Sequence, residues 1–413
     1  MLFVSKKQSW KLEQYFHFSE VYMDSFVFHS PTEFVFGNET ENKAGELAVR
    51  YGATKVLIHY GSGSAVRSGL LDRVIRSLEG AGLEYVTLGG VQPNPRDTLI
   101  YQGISLCRAE KVDFILAVGG GSVIDSAKGI AAGVCYDGDF WDLYSRIQPV
   151  RAALPVGVIL TIAAAGSEGS GASVVTREDG MLKRDIGSDL VRPRFSILNP
   201  ALTCTLPPYQ TACGITDIMA HIFERYFTNT RNVECTDRLC EGLLLTMIHE
   251  APVVMARPDD YDARANIMWA GTVAHNDLVG CGRSQDWNSH ALEHELSGLY
   301  DCAHGAGLAV VMPAWMEYVH QHDVMRFCQM ATRVWGIEMN YENPEETAMN
   351  GIRAFRAFLR SIGMPTSFAE LGADPEDIPV LVEKLGIGES VRGGFMPLNA
   401  EDVANIYRIA ARI

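Results

Sequence analysis

The run DFILAVGGGSVIDSAKGIAAG constrains the fold more than any other segment of the chain. Its apolar residues Phe114 to Val118 read as a strand buried on both faces, and the strand meets Gly119, Gly120 and Gly121. Ser122 then opens a helix that continues through Lys128. A strand that ends in a glycine turn and feeds a helix brings backbone amides to one point beside the positive helix end, an arrangement suited to pyrophosphate. The motif is GGGSxxDxxK, with Asp125 and Lys128 on the helix, and not the common GxGxxG.

The unit recurs. From Lys55, KVLIHY reads as a strand, Gly61, Ser62, Gly63 and Ser64 as a turn, and the stretch to Ala81 as helix; EYVTLGG and a helix around Thr98 to Glu110 follow. Pro155 to Leu160 is again strand-like and feeds Thr161, Gly166, Ser167 and Glu168. The hydroxyls of Thr161 and Ser167 either contact a nucleotide or only cap the turn. Alternating strands and helices imply a parallel, Rossmann-like α/β domain. Pro200, Pro207 and Pro208 then break the pattern, and helical segments follow at Gln210 to Tyr226, Val233 to Val254, Asp260 to Leu278 and Trp287 to Leu296. The expected division is an extension at 1–22, an α/β nucleotide-binding domain at 23–199, and an all-helical domain at 200–413.

The helical part carries the chemistry. In GITDIMAH, Asp217 and His221 are spaced i, i+4 and share one helix face. In HALEHELSGLYDCAH, His290 and His304 are fourteen apart, which would separate them by roughly 21 Å on an unbroken helix. The helix must therefore end between them; Gly298 is the expected stop, with LYDCAHG folding His304 back. One carboxylate and three imidazoles suit Fe²⁺ or Zn²⁺ better than Mg²⁺ or Ca²⁺. His294, on the face of His290, is either a proton relay or cofactor-orienting residue, or packing behind the ligands. Trp287 is either pocket wall or core.

The chain of 413 residues has 35 Lys and Arg against 50 Asp and Glu, a formal charge of -15 that disfavours nucleic acid and anionic membrane as partners. Nine dispersed cysteines without a CxxC pair suggest reduced thiols and a cytoplasmic protein. Cys302 lies beside a proposed ligand. LAVVMPAWMEYV is too short to span a bilayer, and the first residues lack the pattern of a secretory signal.

In order, YGSGS, GGGSVIDSAK, GSE, ILNPALTCTLP, GITDIMAH and DWNSHALEHELSG followed by HG cover the chain from Phe26 onward. Together they resemble the iron-containing alcohol dehydrogenase family, especially its NADPH-using butanol dehydrogenase and aldehyde reductase branch. The resemblance implies a dehydroquinate synthase-like fold and a homodimer. It also implies Asp217, His221, His290 and His304 as metal ligands and Gly119 to Ser122 as the pyrophosphate cradle. Lys183 matches a family lysine that meets cofactor phosphate or ribose. The implied reaction interconverts an aldehyde and a primary alcohol with NADP(H). The alternatives are glycerol-dehydrogenase-like polyol oxidation with NAD, and a sugar-phosphate cyclase. Two departures stand out: Ala165 precedes GSE where many members have a hydroxyl residue, and Gly61 stands where NAD-preferring relatives carry an aspartate that would repel a 2′-phosphate.

Overall fold

A computed structural model describes residues 23–412, so the proposed extension at 1–22 lies outside the described residues. Six strands form one parallel sheet: β1 (Glu33–Phe36), β2 (Lys55–Gly61), β3 (Glu84–Val91), β4 (Phe114–Gly119), β5 (Val156–Leu160) and β8 (Phe195–Leu198), in the order β1-β8-β5-β4-β2-β3. The helices around it are α1 (Ala44–Arg50), α2 (Ser64–Arg67), α3 (Leu70–Gly80), α4 (Asp97–Glu110), α5 (Gly121–Val134) and α6 (Trp141–Tyr144). All six residues of β4 are buried, as the apolar run requires of a central parallel strand. Parallel pairing aligns the carboxyl ends: Gly61 faces Val91, and Gly119 faces Leu160. The turns after β2, β4 and β5 therefore share one rim, where open α/β sheets take their ligands.

One local expectation changes, and one element is added. The helix expected from Ser64 to Ala81 is divided into α2 and α3, because Gly69 adopts a left-handed conformation at φ 67°. Between β5 and β8 the chain adds an antiparallel hairpin, β6 (Ala172–Arg177) and β7 (Leu182–Gly187), which carries Lys183.

From Pro208 onward no strand occurs among the described residues. The helices are α7 (Pro208–Tyr226), α8 (Glu234–Ala256), α9 (Tyr261–His275), α10 (Asn288–Tyr300) and α11 (His304–Val319), followed by further helices to Arg412. Helix α8 is long and apolar enough by composition to cross a membrane. Its Asp237, however, is buried and paired with Arg283 and Arg326, and its Leu244 and Met247 lie in the helical core, as in a core helix of a folded domain. The segment from Met23 belongs to this half in space, since Asp24 bonds to the Gly282 carbonyl and to Thr230.

One buried histidine makes the α/β half acid-sensitive. His59 on β2 is fully buried between the Leu88 carbonyl and Ser126 Oγ, both at 2.8 Å, and burial lowers its pKa to about 4. Below the unfolded value of about 6.5 the unfolded chain binds a proton that the folded chain does not. Stability from this group is complete above about 6.5 and is lost as pH falls towards 4, by about 3 kcal/mol. Urea unfolding of wild type and His59→Gln from pH 7 to pH 4.5 should show a shallower pH dependence in the variant; parallel curves would contradict it.

Candidate metal and nucleotide site

The loop after β5 meets the helical half directly: a Cβ on Gly214 of α7 would stand 2.3 Å from the Ala163 carbonyl, and one on Gly166 would stand 2.5 Å from His275 Cβ on α9. At the nucleotide rim, α5 begins at Gly121 with Gly120 as its cap, one residue before the expected start at Ser122, and the Thr161 amide bonds to the Gly119 carbonyl at 3.0 Å. Gly119, Gly120, Gly121, Ser122 and Thr161 thus sit together. Gly61, Ser62, Gly63 and Arg67 line a separate open pocket of about 550 Å³ with Gly89 and Gly90. Ser64, the first residue of α2, adjoins this pocket.

Asp125 and Ser167, expected at the nucleotide, are instead spent on the scaffold. Ser167 Oγ donates to Asp125 Oδ1 at 2.6 Å, and the Val174 amide donates to Asp125 Oδ2 at 3.1 Å. Lys128, fully buried, donates to the Ser167, Ser170 and Ala172 carbonyls and to Ser167 Oγ. The polar half of GGGSxxDxxK therefore ties the GSE loop and β6 to α5.

The metal-type cluster forms where α7, α10 and α11 meet. The Nε2 atoms of His221, His290 and His304 lie 3.3, 3.8 and 3.7 Å from Asp217 Oδ1. Donors about 2.1 Å from one tetrahedral ion stand roughly 3.4 Å apart; Asp217, His290 and His304 already bring their donor atoms within 4.8 Å of one another, and His221 adjoins this group through Asp217 Oδ1. Asp217 Oδ1 and His290 Nε2 are buried without hydrogen-bond partners, which is costly unless a cation satisfies them.

Helix α10 ends at Asp301, in a left-handed conformation at φ 49°, and not at Gly298. Gly298 lies inside the helix, where a Cβ would stand 2.9 Å from the Met181 carbonyl of the hairpin. Asn94 and Arg96 of the α/β half grip Asp301 at 3.1 and 2.8 Å, and α11 restarts at His304. A Cβ on Gly305 would stand 2.1 Å from the Cys213 carbonyl, so glycine there lets α11 cross α7 closely enough to set His304 beside Asp217.

Buried carboxylates aim two of the rings. Glu224 accepts from His290 Nδ1 at 3.0 Å and from the His290 and Trp287 amides at 2.9 Å each. Glu293 accepts from His304 Nδ1 and lies 3.3 Å from Lys183 Nζ. Each bond fixes the tautomer that turns Nε2 inward. Neither glutamate had a recognisable signal, because each meets its partner through folding; Glu224 and His290 are 66 residues apart. Burial opposes charge on His290, but the Asp217 and Glu224 carboxylates lift its pKa to about 9. Burial disfavours charge on Glu293 too, yet His304 and Lys183 hold it at about 2. Replacing Glu224 with Ala should lower metal affinity ~10 to 100-fold. It should also destabilise the protein by about 2–4 kcal/mol by stranding three buried donors. Metal titration and thermal melts test both; an unchanged affinity would mean His290 needs no carboxylate behind it.

Lys183 stands at this end of the cleft, its ammonium donating to Ser297 Oγ at 2.7 Å and 3.4 Å from His304 Nδ1. His294 has its ring centre 5.7 Å from that of His304, and burial, with Lys183 and His304, holds it neutral, well below the usual histidine range. Trp287 is wall against the cluster: its ring centre lies 5.7, 5.6 and 5.2 Å from those of His221, His275 and His290, and Arg225 covers it at 4.6 Å. Burial pushes the Cys302 thiol up to about 12, so it is no ready nucleophile. His275, not singled out in the sequence, joins the cluster from α9.

A parallel nucleotide sheet facing an Asp-His-His-His cluster on helices defines a metal- and nucleotide-dependent oxidoreductase type of site. Residues 31–200 match the iron-containing alcohol dehydrogenase family model, and residues 211–411 match the model of the Fe-containing alcohol dehydrogenase family C-terminal domain. The chain belongs to the iron-containing alcohol dehydrogenase family. It is 40% identical over 389 residues to NADH-dependent butanol dehydrogenase A of Clostridium acetobutylicum, covering 94% of this chain and 99% of that one. It is 38% identical over 366 residues to the NADPH-dependent aldehyde reductase YqhD of Escherichia coli, covering 88% and 93%. The crystal structure of NADH-dependent butanol dehydrogenase A from Thermotoga maritima superposes with a TM-score of 0.92 at 39% identity, covering 95% of this chain and all of that one.

Proposed function

We propose that the protein interconverts aldehydes and primary alcohols with NADP(H), using one Fe²⁺ or Zn²⁺ ion held by Asp217, His221, His290 and His304. The observation that carries this reading is the convergence of three imidazole Nε2 atoms within 3.8 Å of one carboxylate oxygen, opposite a glycine-rich nucleotide rim. The bound groups would supply Lewis-acid polarisation of the carbonyl oxygen and hydride. The protein's own part is placement. Gly119 to Ser122 and Thr161 hold the pyrophosphate, Glu224 and Glu293 aim His290 and His304, and Lys183, its ammonium held by Ser297 Oγ and Glu293, meets the cofactor phosphate or ribose from the hairpin. His294 contributes a neutral imidazole that orients the cofactor or passes a proton.

NADP(H) is favoured by the pocket at Gly61, where Arg67 folds over Gly63 and has no carboxylate partner among the described residues. The relatives divide on this point, two of them being named for opposite cofactors. The same reading places the protein in the cytoplasm as a homodimer. Metal analysis with NADPH oxidation on a panel of aldehydes tests the proposal, and the panel repeated on His294→Phe isolates the histidine. Metal-free protein with full turnover, or phosphate release from a sugar phosphate without aldehyde reduction, would overturn it.

A further inference from the structure

His275 closes α9 and lies at the edge of the metal-type cluster, its ring beside those of His221 and Trp287. Its Nδ1 lies 3.1 Å from Nε2 of His221, the same nitrogen that faces Asp217 Oδ1. The two ring centres are 4.0 Å apart at an interplanar angle of 69°. Its position is tightly held: Gly166, at φ 61°, packs so closely beneath it that a Cβ there would stand 2.5 Å from His275 Cβ and 2.8 Å from the Gly271 carbonyl. Thr272, one turn earlier on α9, donates to Glu168 of the same GSE loop at 2.6 Å. The loop that follows β5 therefore fixes His275 beside the cluster.

An imidazole nitrogen aimed at the coordinating nitrogen of another imidazole has two stabilising arrangements, an inter-ring hydrogen bond or a shared cation. Once His221 commits its Nε2 lone pair to an ion, the inter-ring bond has no acceptor. His275 then keeps a partner only by presenting its own Nδ1 lone pair to that ion. The separation suits this, because adjacent donors about 2.1 Å from one ion stand roughly 3.0 Å apart at a right angle.

We propose that His275 Nδ1 is a fifth protein donor to the ion held by Asp217, His221, His290 and His304. This rests on the metal centre of the proposed function and deepens it. Five donors with one position left for a substrate oxygen suit Fe²⁺ better than a tetrahedral Zn²⁺ shell.

Co²⁺ is the probe, because its visible bands intensify when a five-coordinate ion becomes four-coordinate. Chelator-stripped full-length protein and His275→Ala are titrated with Co²⁺ after circular dichroism confirms folding. His275→Phe, which keeps ring volume without a donor, serves as the second variant. The expected result is an affinity lower by at least ~10-fold in either variant, with stronger visible bands. Unchanged or tighter binding with unchanged bands, while wild type takes up one Co²⁺, overturns the role of His275 alone. Wild-type protein that takes up no Co²⁺ overturns the metal centre itself, and this role with it.

Discussion

His290→Ala is expected to purify without stoichiometric metal and to lose aldehyde reduction by two to three orders of magnitude. A four-ligand protein site binds its ion with about 10–16 kcal/mol in apparent terms, so one lost donor removes about 3–4 kcal/mol. That corresponds to roughly two to three decades in affinity. The change acts twice at this position, because the ring also satisfies Glu224, which is wholly buried and accepts from His290 Nδ1 at 3.0 Å. Removing the imidazole leaves that carboxylate short of a donor. His221→Ala should behave similarly for metal but spare the Glu224 contact, so its apoprotein should melt higher than that of His290→Ala. Elemental analysis and melting curves of both variants provide the check. One tightly bound ion and wild-type turnover in both would remove the four-residue centre.

Gly61→Asp is expected to weaken NADPH use by one to two decades and to improve NADH use. The substitution is sterically mild. A Cβ at Gly61 would meet the Val91 carbonyl at 3.6 Å and Val123 Cγ2 at 3.8 Å, both ordinary contacts, so the added charge and not a clash would be measured. A carboxylate here would accept hydrogen bonds from ribose hydroxyls and repel a 2′-phosphate. One like-charge contact in a partly wet pocket costs about 1–3 kcal/mol. It would also give Arg67 a carboxylate to pair with, drawing that guanidinium away from phosphate. Initial rates with both cofactors, on wild type and variant, decide it. A wild-type preference for NADH, or undiminished NADPH affinity in Gly61→Asp, would place the adenosine ribose elsewhere.

The chain by itself determined what depends on neighbours in sequence. The apolar run at Phe114 to Val118 demanded a buried strand, and the proline-rich segment before Pro208 ended the sheet. The i, i+4 spacing set Asp217 and His221 on one helix face. Each is a local rule of backbone geometry or periodicity. Where the local rule was ambiguous, tertiary contacts decided. Gly298 is a plausible helix stop, but the hairpin carbonyl at Met181 needed a residue without a side chain, and the actual stop at Asp301 is stabilised from the other half by Asn94 and Arg96. Asp125 and Ser167 carry groups suited to a nucleotide, yet folding turned them towards each other and Lys128. Glu224, Glu293 and His275 were invisible for a different reason. Their chemistry arises only when separate helices bring them within about 3 Å of a ligand histidine, and no spacing along the chain encodes that approach.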